Sequence, residues 1–156
     1  MVLLLWRKSA NIFHYSNRDH GSFHNYWSRT EKQDADLSYI VKGGRLPSKV
    51  KTIANLLRLR PVIGTKNGKL RARGVLYGKA RMVEKFATFL TNKIKKEKQY
   101  ILMIAHANSI DAGEKLNLYM TQKNQNIINS YVLELGGALG AHAGPGALAV
   151  GLQEVD

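Results

Sequence analysis

The side chain best set for chemistry in this 156-residue chain is His142, which lies among six glycines and a proline between Gly136 and Gly151. Glycines at that density let a backbone approach a ligand closely and adopt positive φ, and the N–H groups this exposes can cradle an anion. An imidazole, with an ordinary pKa near about 6.5, donates a hydrogen bond to a carboxylate or phosphate in either protonation state. Types and spacing together predict a turn that recognises an anionic headgroup, built from Gly140, His142, Gly144 and Gly146. A turn that needs its glycines for shape alone is an equally natural reading of the glycines. It is a weaker reading of His142, which has little side-chain bulk around it to hide in.

Other chemistries are poorly served. The glycine stretch lacks the Lys-Ser/Thr ending of a P-loop and precedes an apolar strand-like run, where a dinucleotide fingerprint would precede a helix. No G-x-S-x-G elbow occurs, and the 11 acids are scattered, so neither a triad nor paired-carboxylate catalysis is expected. The absence of cysteine removes disulfides, thiolate ligands and thiol nucleophiles, and suits a reducing compartment. His14, His20 and His24 fit no i, i+4 ligand pair and read as unligated surface histidines, so no metal or other cofactor is expected. The run Val2 to Trp6 meets Arg7 and Lys8 at once, too short for a membrane span and without a signal-peptide layout. A cytoplasmic protein with no stable membrane insertion is expected.

Charge is distributed unevenly. The whole chain carries a formal +13, but Lys42 to Lys98 holds 17 Lys/Arg against Glu84 and Glu97, a net +15, and Gln99 to Asp156 holds two Lys against five acids, a net −3. Such asymmetry marks a face that meets something anionic: nucleic acid, membrane surface, nucleotide or acidic protein. A nucleic-acid-binding domain is therefore the alternative function, although Tyr77 is the one good candidate for base stacking in the basic part.

The elements that must position His142 follow from periodicity. Residues 1–35, rich in His, Tyr, Asn, Ser and Arg, show no sustained period and are expected to be irregular; the domain proper is expected over 36–156. A short helix should run from Asp36 into the Gly43-Gly44 turn, and a second from Pro47, with Val50, Ile53, Ala54 and Leu57 as its apolar stripe. Arg60 to Thr65, Asn67-Gly68 and Leu70 to Tyr77 read as a hairpin with a basic tip of Lys66, Lys69, Arg71 and Arg73. Met82, Val83, Phe86, Phe89, Leu90 and Ile94 predict a helix from Lys79 to about Lys96, its final lysines complementing the dipole. Tyr100 to His106 reads as a buried strand, with His106 at its end, where α/β sites often gather. Ser109 should cap the next helix, with Ala112, Leu116, Tyr119 and Met120 on one side; strands follow over Ile127 to Leu135 and Ala147 to Leu152. The expected architecture is an α/β two-layer domain with a mixed sheet of about five to six strands packed against helices.

From about Asp36 to about Leu152 the chain resembles the C-terminal domain of the DegV family. The resemblance rests on Lys42-Gly43-Gly44-Arg45, Arg60-Pro61-Val62-Ile63 with Asn67-Gly68-Lys69, Ile104-Ala105-His106-Ala107, and Gly140-Ala141-His142-Ala143-Gly144-Pro145-Gly146-Ala147, in family order. The last, with its His-x-Gly-Pro-Gly core, is the most specific. The resemblance implies a non-enzymatic protein that buries a long-chain fatty acid in an apolar tunnel and presents the carboxylate to a fatty acid kinase of the dihydroxyacetone-kinase-like type. It implies that His142 lies on the headgroup side, and that Gly43, Gly44 and Arg45 form a basic turn near the domain junction. Lys79 and Arg81 lie just after the position where the family often carries an Arg before its long helix and where Tyr77 stands here, so they are partner-facing candidates. In the family an N-terminal α/β domain supplies Ser and Thr to the same carboxylate, and residues 1–35 do not resemble it. The resemblance thus implies a half-built site, completed by a separate N-terminal domain or by self-association, or else the inactive remnant of a truncated gene.

Overall fold

The computed structural model describes residues 23–29, 59–66, 69–78 and 80–155. In chain order these form β1 (Phe23–Arg29), β2 (Leu59–Lys66), β3 (Lys69–Tyr77), α1 (Met82–Thr91), β4 (Gln99–His106), α2 (Ile110–Lys123), β5 (Ile127–Glu134), α3 (Gly137–Ala143) and β6 (Ala147–Val155). The six strands share one sheet in the order β3-β2-β1-β6-β4-β5. The β4–β5 pair, joined through α2, is parallel, and every other pair is antiparallel, so the mixed α/β sheet is as the sequence predicts. Lys66 pairs with Lys69, which leaves two residues for the Asn67-Gly68 turn of the expected hairpin.

One expectation fails early in the chain. Phe23–Arg29, inside the stretch read as irregular, is a strand in the interior of the sheet, paired to β2 on one side and to β6 over seven residues on the other. Tyr26 and Ser28 of this strand are buried, and only one of the two is large and apolar. The period-2 hydrophobic signal is therefore almost absent, and pairing on both sides takes its place. The helices expected over 36–41 and 47–58, and with them Gly43, Gly44 and Arg45, lie outside the described residues, as do Lys79 and the metal-candidate residues His14 and His20.

Strand alternation divides the core into two layers of different grain. On β6, Leu148, Val150 and Leu152 join Tyr100, Leu102 and Ile104 of β4 beneath α1 and α2, packed by Met82, Phe86, Leu90, Leu116 and Met120. The alternate residues Ala147 and Ala149 join Ala105 and Ala107 on the other side, under Leu139 and Ala143 of α3. Large residues thus fill one face, and a thin alanine layer lies beneath the glycine-rich segment.

The helix after β3 is shorter than its apolar period suggests: α1 stops at Thr91, and its last turn holds no basic residue. The lysines beyond it serve other contacts instead of the dipole. Lys93 lies over the Phe89 ring at 5.2 Å, while Lys95 meets Glu154 at 3.4 Å and its backbone N–H donates to the Tyr100 hydroxyl. Burial, the nearby Glu154 charge and the hydrogen bond to Glu154 together outweigh that backbone N–H and raise the Tyr100 pKa above its ordinary value. Ser109 stands at the N-cap of α2, as expected, but its side chain makes no capping bond.

Candidate functional site

Strand register brings the predicted anion segment to the carboxyl ends of β4 and β5, the place where open α/β sheets gather ligands. His106 pairs with Leu148 on one side and Glu134 on the other, and Leu135 N–H donates to the His106 carbonyl at 2.8 Å. The chain then enters α3, turns at Gly144-Pro145-Gly146 and returns as β6, tied to the end of β4 by Gly146 N–H to Ala107 O and Ala107 N–H to Ala147 O. The expected turn over Gly136 to Gly146 is thus mostly a short helix. Ala138, Leu139, Ala141 and Ala143 carry enough helix propensity to form it, and Gly144 with Pro145 ends it. Gly144 sits at φ 74, ψ 161, a conformation nearly confined to glycine, and Gly146 has φ 78.

The way these glycines act differs from the expected open cradle. The N–H groups of Gly140, Gly144 and Gly146 donate to the carbonyls of Gly136, Gly140 and Ala107 at 2.8–2.9 Å, so they are engaged inside the fold. What the glycines of α3 leave is room. A Cβ added at Gly137 meets nothing within 4 Å, and one at Gly140 meets only the Leu135 carbonyl at 3.8 Å. Glycine inside a helix costs about 1 kcal/mol relative to alanine, and nothing among the described residues requires it there. Gly137, not among the expected anion-turn residues, belongs to this set, and its sequence signal is the Gly136-Gly137 pair ahead of an Ala-Leu run.

His142 lies in the last turn of α3, and its side chain lies outside the description. His106, at the same sheet end, is buried on the helix-covered face, and its Nδ1 accepts the Ser109 N–H at 3.4 Å, which leaves the ring proton on Nε2 in the neutral form. Its ring also limits α2: a Cβ at Gly113 would come within 3.3 Å of His106 Cδ2 and 3.1 Å of Val132. His106 thereby locks the β4–α2 corner from which the 135–147 segment hangs.

Arg81 is exposed at the N-cap of α1 in a left-handed conformation, φ 53, ψ 43. It follows β3, whose end pairs with the start of β2, so it stands at the same end of the sheet as α3. The two are not neighbours, because three inter-strand steps of roughly 4.8 Å separate β3 from β6. Between α1 and α2, Glu84 accepts from Lys115 at 3.0 Å and from the Tyr119 hydroxyl at 3.4 Å. Burial alone would raise the Glu84 pKa; its backbone hydrogen bond, Lys115 and Tyr119 outweigh that and hold it below the ordinary value. Among the described residues no three His, Cys, Asp or Glu gather as a metal site, and no helix is long and apolar enough to cross a membrane.

Comparison with known proteins meets this geometry from outside. Residues 35–155 match the family described as "Uncharacterised protein, DegV family". A DegV domain-containing protein of Clostridium perfringens is 26% identical over 119 residues, 76% of this chain and 42% of the relative. A solved fatty acid binding DegV family protein from Streptococcus agalactiae shares the fold with TM-score 0.67 and 23% identity, over 86% of this chain and 45% of its own. A DegV family protein from Eubacterium eligens, loaded with heptadecanoic acid, does so with TM-score 0.65 and 18% identity, over 86% and 46%. The chain thus spans less than half the length of each of these proteins.

Proposed function

The chain belongs to the DegV family, and from that premise we propose that it is a non-enzymatic fatty-acid-binding module that holds a long-chain fatty acid with its carboxylate at α3. His142 donates to the carboxylate, Gly137 and Gly140 let the headgroup and its surroundings approach the helix, and Gly144 and Gly146 set the turn that fixes His142. The observation that carries this reading is the open space beside Gly140, a partly buried glycine inside α3 where alanine would fit and favour the helix. The fatty acid named for the Streptococcus and Eubacterium proteins supplies the ligand class. An N-terminal DegV domain completes the carboxylate's shell with hydroxyl donors.

A fatty acid kinase takes the presented carboxylate. The +15 stretch from Lys42 to Lys98 suits an acidic or nucleotide-carrying partner of that kind, with Arg81 at its exposed corner and Gly43, Gly44, Arg45 and Lys79 in the same basic stretch. The test is a fluorescent fatty-acid titration in the presence of an N-terminal DegV domain. His142→Ala should weaken binding at least about tenfold, the loss of one charge-assisted hydrogen bond; unchanged affinity would remove His142 from the headgroup site.

A further inference from the structure

The two edges of the sheet are managed in opposite ways. β3 carries Lys69, Arg71 and Arg73, the kind of charge that keeps an edge from pairing with other chains. β5 reads Ile-Ile-Asn-Ser-Tyr-Val-Leu-Glu without a basic residue, and no lysine or arginine occurs between Asn124 and Val155. Of the seven exposed large hydrophobic residues among those described, Ile128, Tyr131 and Leu133 lie on β5 and Ile110 and Leu118 on α2. In a chain of formal charge +13, β5 is thus an edge strand with exposed apolar side chains and neither lysine nor arginine.

We propose that β5 pairs antiparallel with β5 of a second copy of this chain, on a two-fold axis through Val132, extending the sheet across the dimer. Leu135 N–H points to β4, so alternation turns the backbone groups of Ser130, Val132 and Glu134 outward. Centred on Val132, this pairing joins Val132 to Val132 and Ser130 to Glu134 as hydrogen-bonded pairs. It also sets Tyr131 directly across from Leu133, twice, on the face where both are more than two-fifths exposed. The strand is therefore self-complementary in its apolar residues as well as its backbone. A second copy fits better than an acidic partner or a nucleic acid, because this edge offers neither any cation.

One local contact tunes the pairing. The Ser130 N–H is held by Asn129 Oδ1 at 2.9 Å, and Asn129 Nδ2 donates to the Tyr131 hydroxyl at 2.8 Å. This clip occupies the first outward donor of the edge and must open for the full ladder to form. Net charge opposes the association, so salt strengthens it, the reverse of the dependence for a polyanion ligand.

Sedimentation velocity of the full chain at rising concentration, in low and in high salt, tests the proposal. A monomer–dimer equilibrium shifting to dimer with salt is expected, with Leu133→Lys monomeric throughout and unchanged in circular dichroism. Register is read by oxidising an equimolar mixture of Tyr131→Cys and Leu133→Cys chains, which should cross-link to each other more than either does alone, since the native chain has no cysteine. A wild-type chain monomeric at every concentration and salt, a Leu133→Lys dimer, or cross-linking no greater in the mixture than alone would each overturn it.

Discussion

The layer beneath α1 and α2 and the layer beneath α3 belong to the same two central strands, yet they are built to opposite specifications. Under α1 and α2, Tyr100, Leu102, Ile104, Leu148, Val150 and Leu152 interlock with Phe86, Leu90, Leu116 and Met120, most of them fully buried. Under α3 the alternate positions are Ala105, Ala147 and Ala149, and the helix above holds glycines over open space. A side chain that fills volume contributes to stability; one that leaves volume gives access. If α3 is the headgroup site proposed above, the sheet separates the part that holds the fold from the part that admits a ligand, and single substitutions on the two sides should move different observables.

The largest effect is expected on the densely packed side. Phe86→Ala removes a fully buried ring and should cost about 3–5 kcal/mol in chemical denaturation, through lost transfer energy plus a cavity. A loss below about 1 kcal/mol would mean that the core relaxes around the hole and the contrast between the layers is overdrawn. On the thin side, Gly140→Ala should do the reverse: stability is kept or rises by up to about 1 kcal/mol from helix propensity. Fatty-acid affinity falls several-fold as the new methyl enters the approach path. A variant both less stable and fully competent to bind would make Gly140 structural and would sink the access reading.

The smallest effect lies between the helices. Because the Glu84 carboxyl titrates below its unfolded value near about 4.3, its contribution is complete at neutral pH and is lost as pH falls through the lower folded value. Lys115 is half exposed, so the pair contributes under about 1 kcal/mol. Glu84→Gln should flatten the acid limb of the stability curve and leave fatty-acid binding unchanged, as measured by urea denaturation from pH 7 down to 3. An acid limb as steep as wild type would assign the carboxyl no role there.

Much of this was legible in the sequence, and the exceptions have physical causes. The β2–β3 hairpin is announced by Asn67-Gly68, α2 by the one-sided spacing of Ala112, Leu116, Tyr119 and Met120, and β4 by its continuous apolar run, because local propensity and burial agree there. β1 was invisible because its buried positions alternate Tyr26 with Ser28, so neighbours on both sides, not its own pattern, make it a strand. The helix within the glycine stretch was hidden by composition. Gly137 and Gly140 suggest a loop, while Gly144 and Pro145 are the stop signal of a helix already under way. The N–H groups of Gly140 and Gly144 are engaged by the helix itself, and that of Gly146 by Ala107, a long-range contact that no local spacing reports. Arg81 and the glycine segment share one end of the sheet, but no sequence spacing reports the strands between them.

The most direct measurement is native mass spectrometry of the purified chain mixed with an N-terminal DegV domain, before and after organic extraction. The expected result is a complex carrying one long-chain fatty acid, lost on extraction and restored on adding the free acid. A complex that forms without any fatty acid, before extraction and after resupply alike, would contradict the assignment of α3 as a carboxylate site.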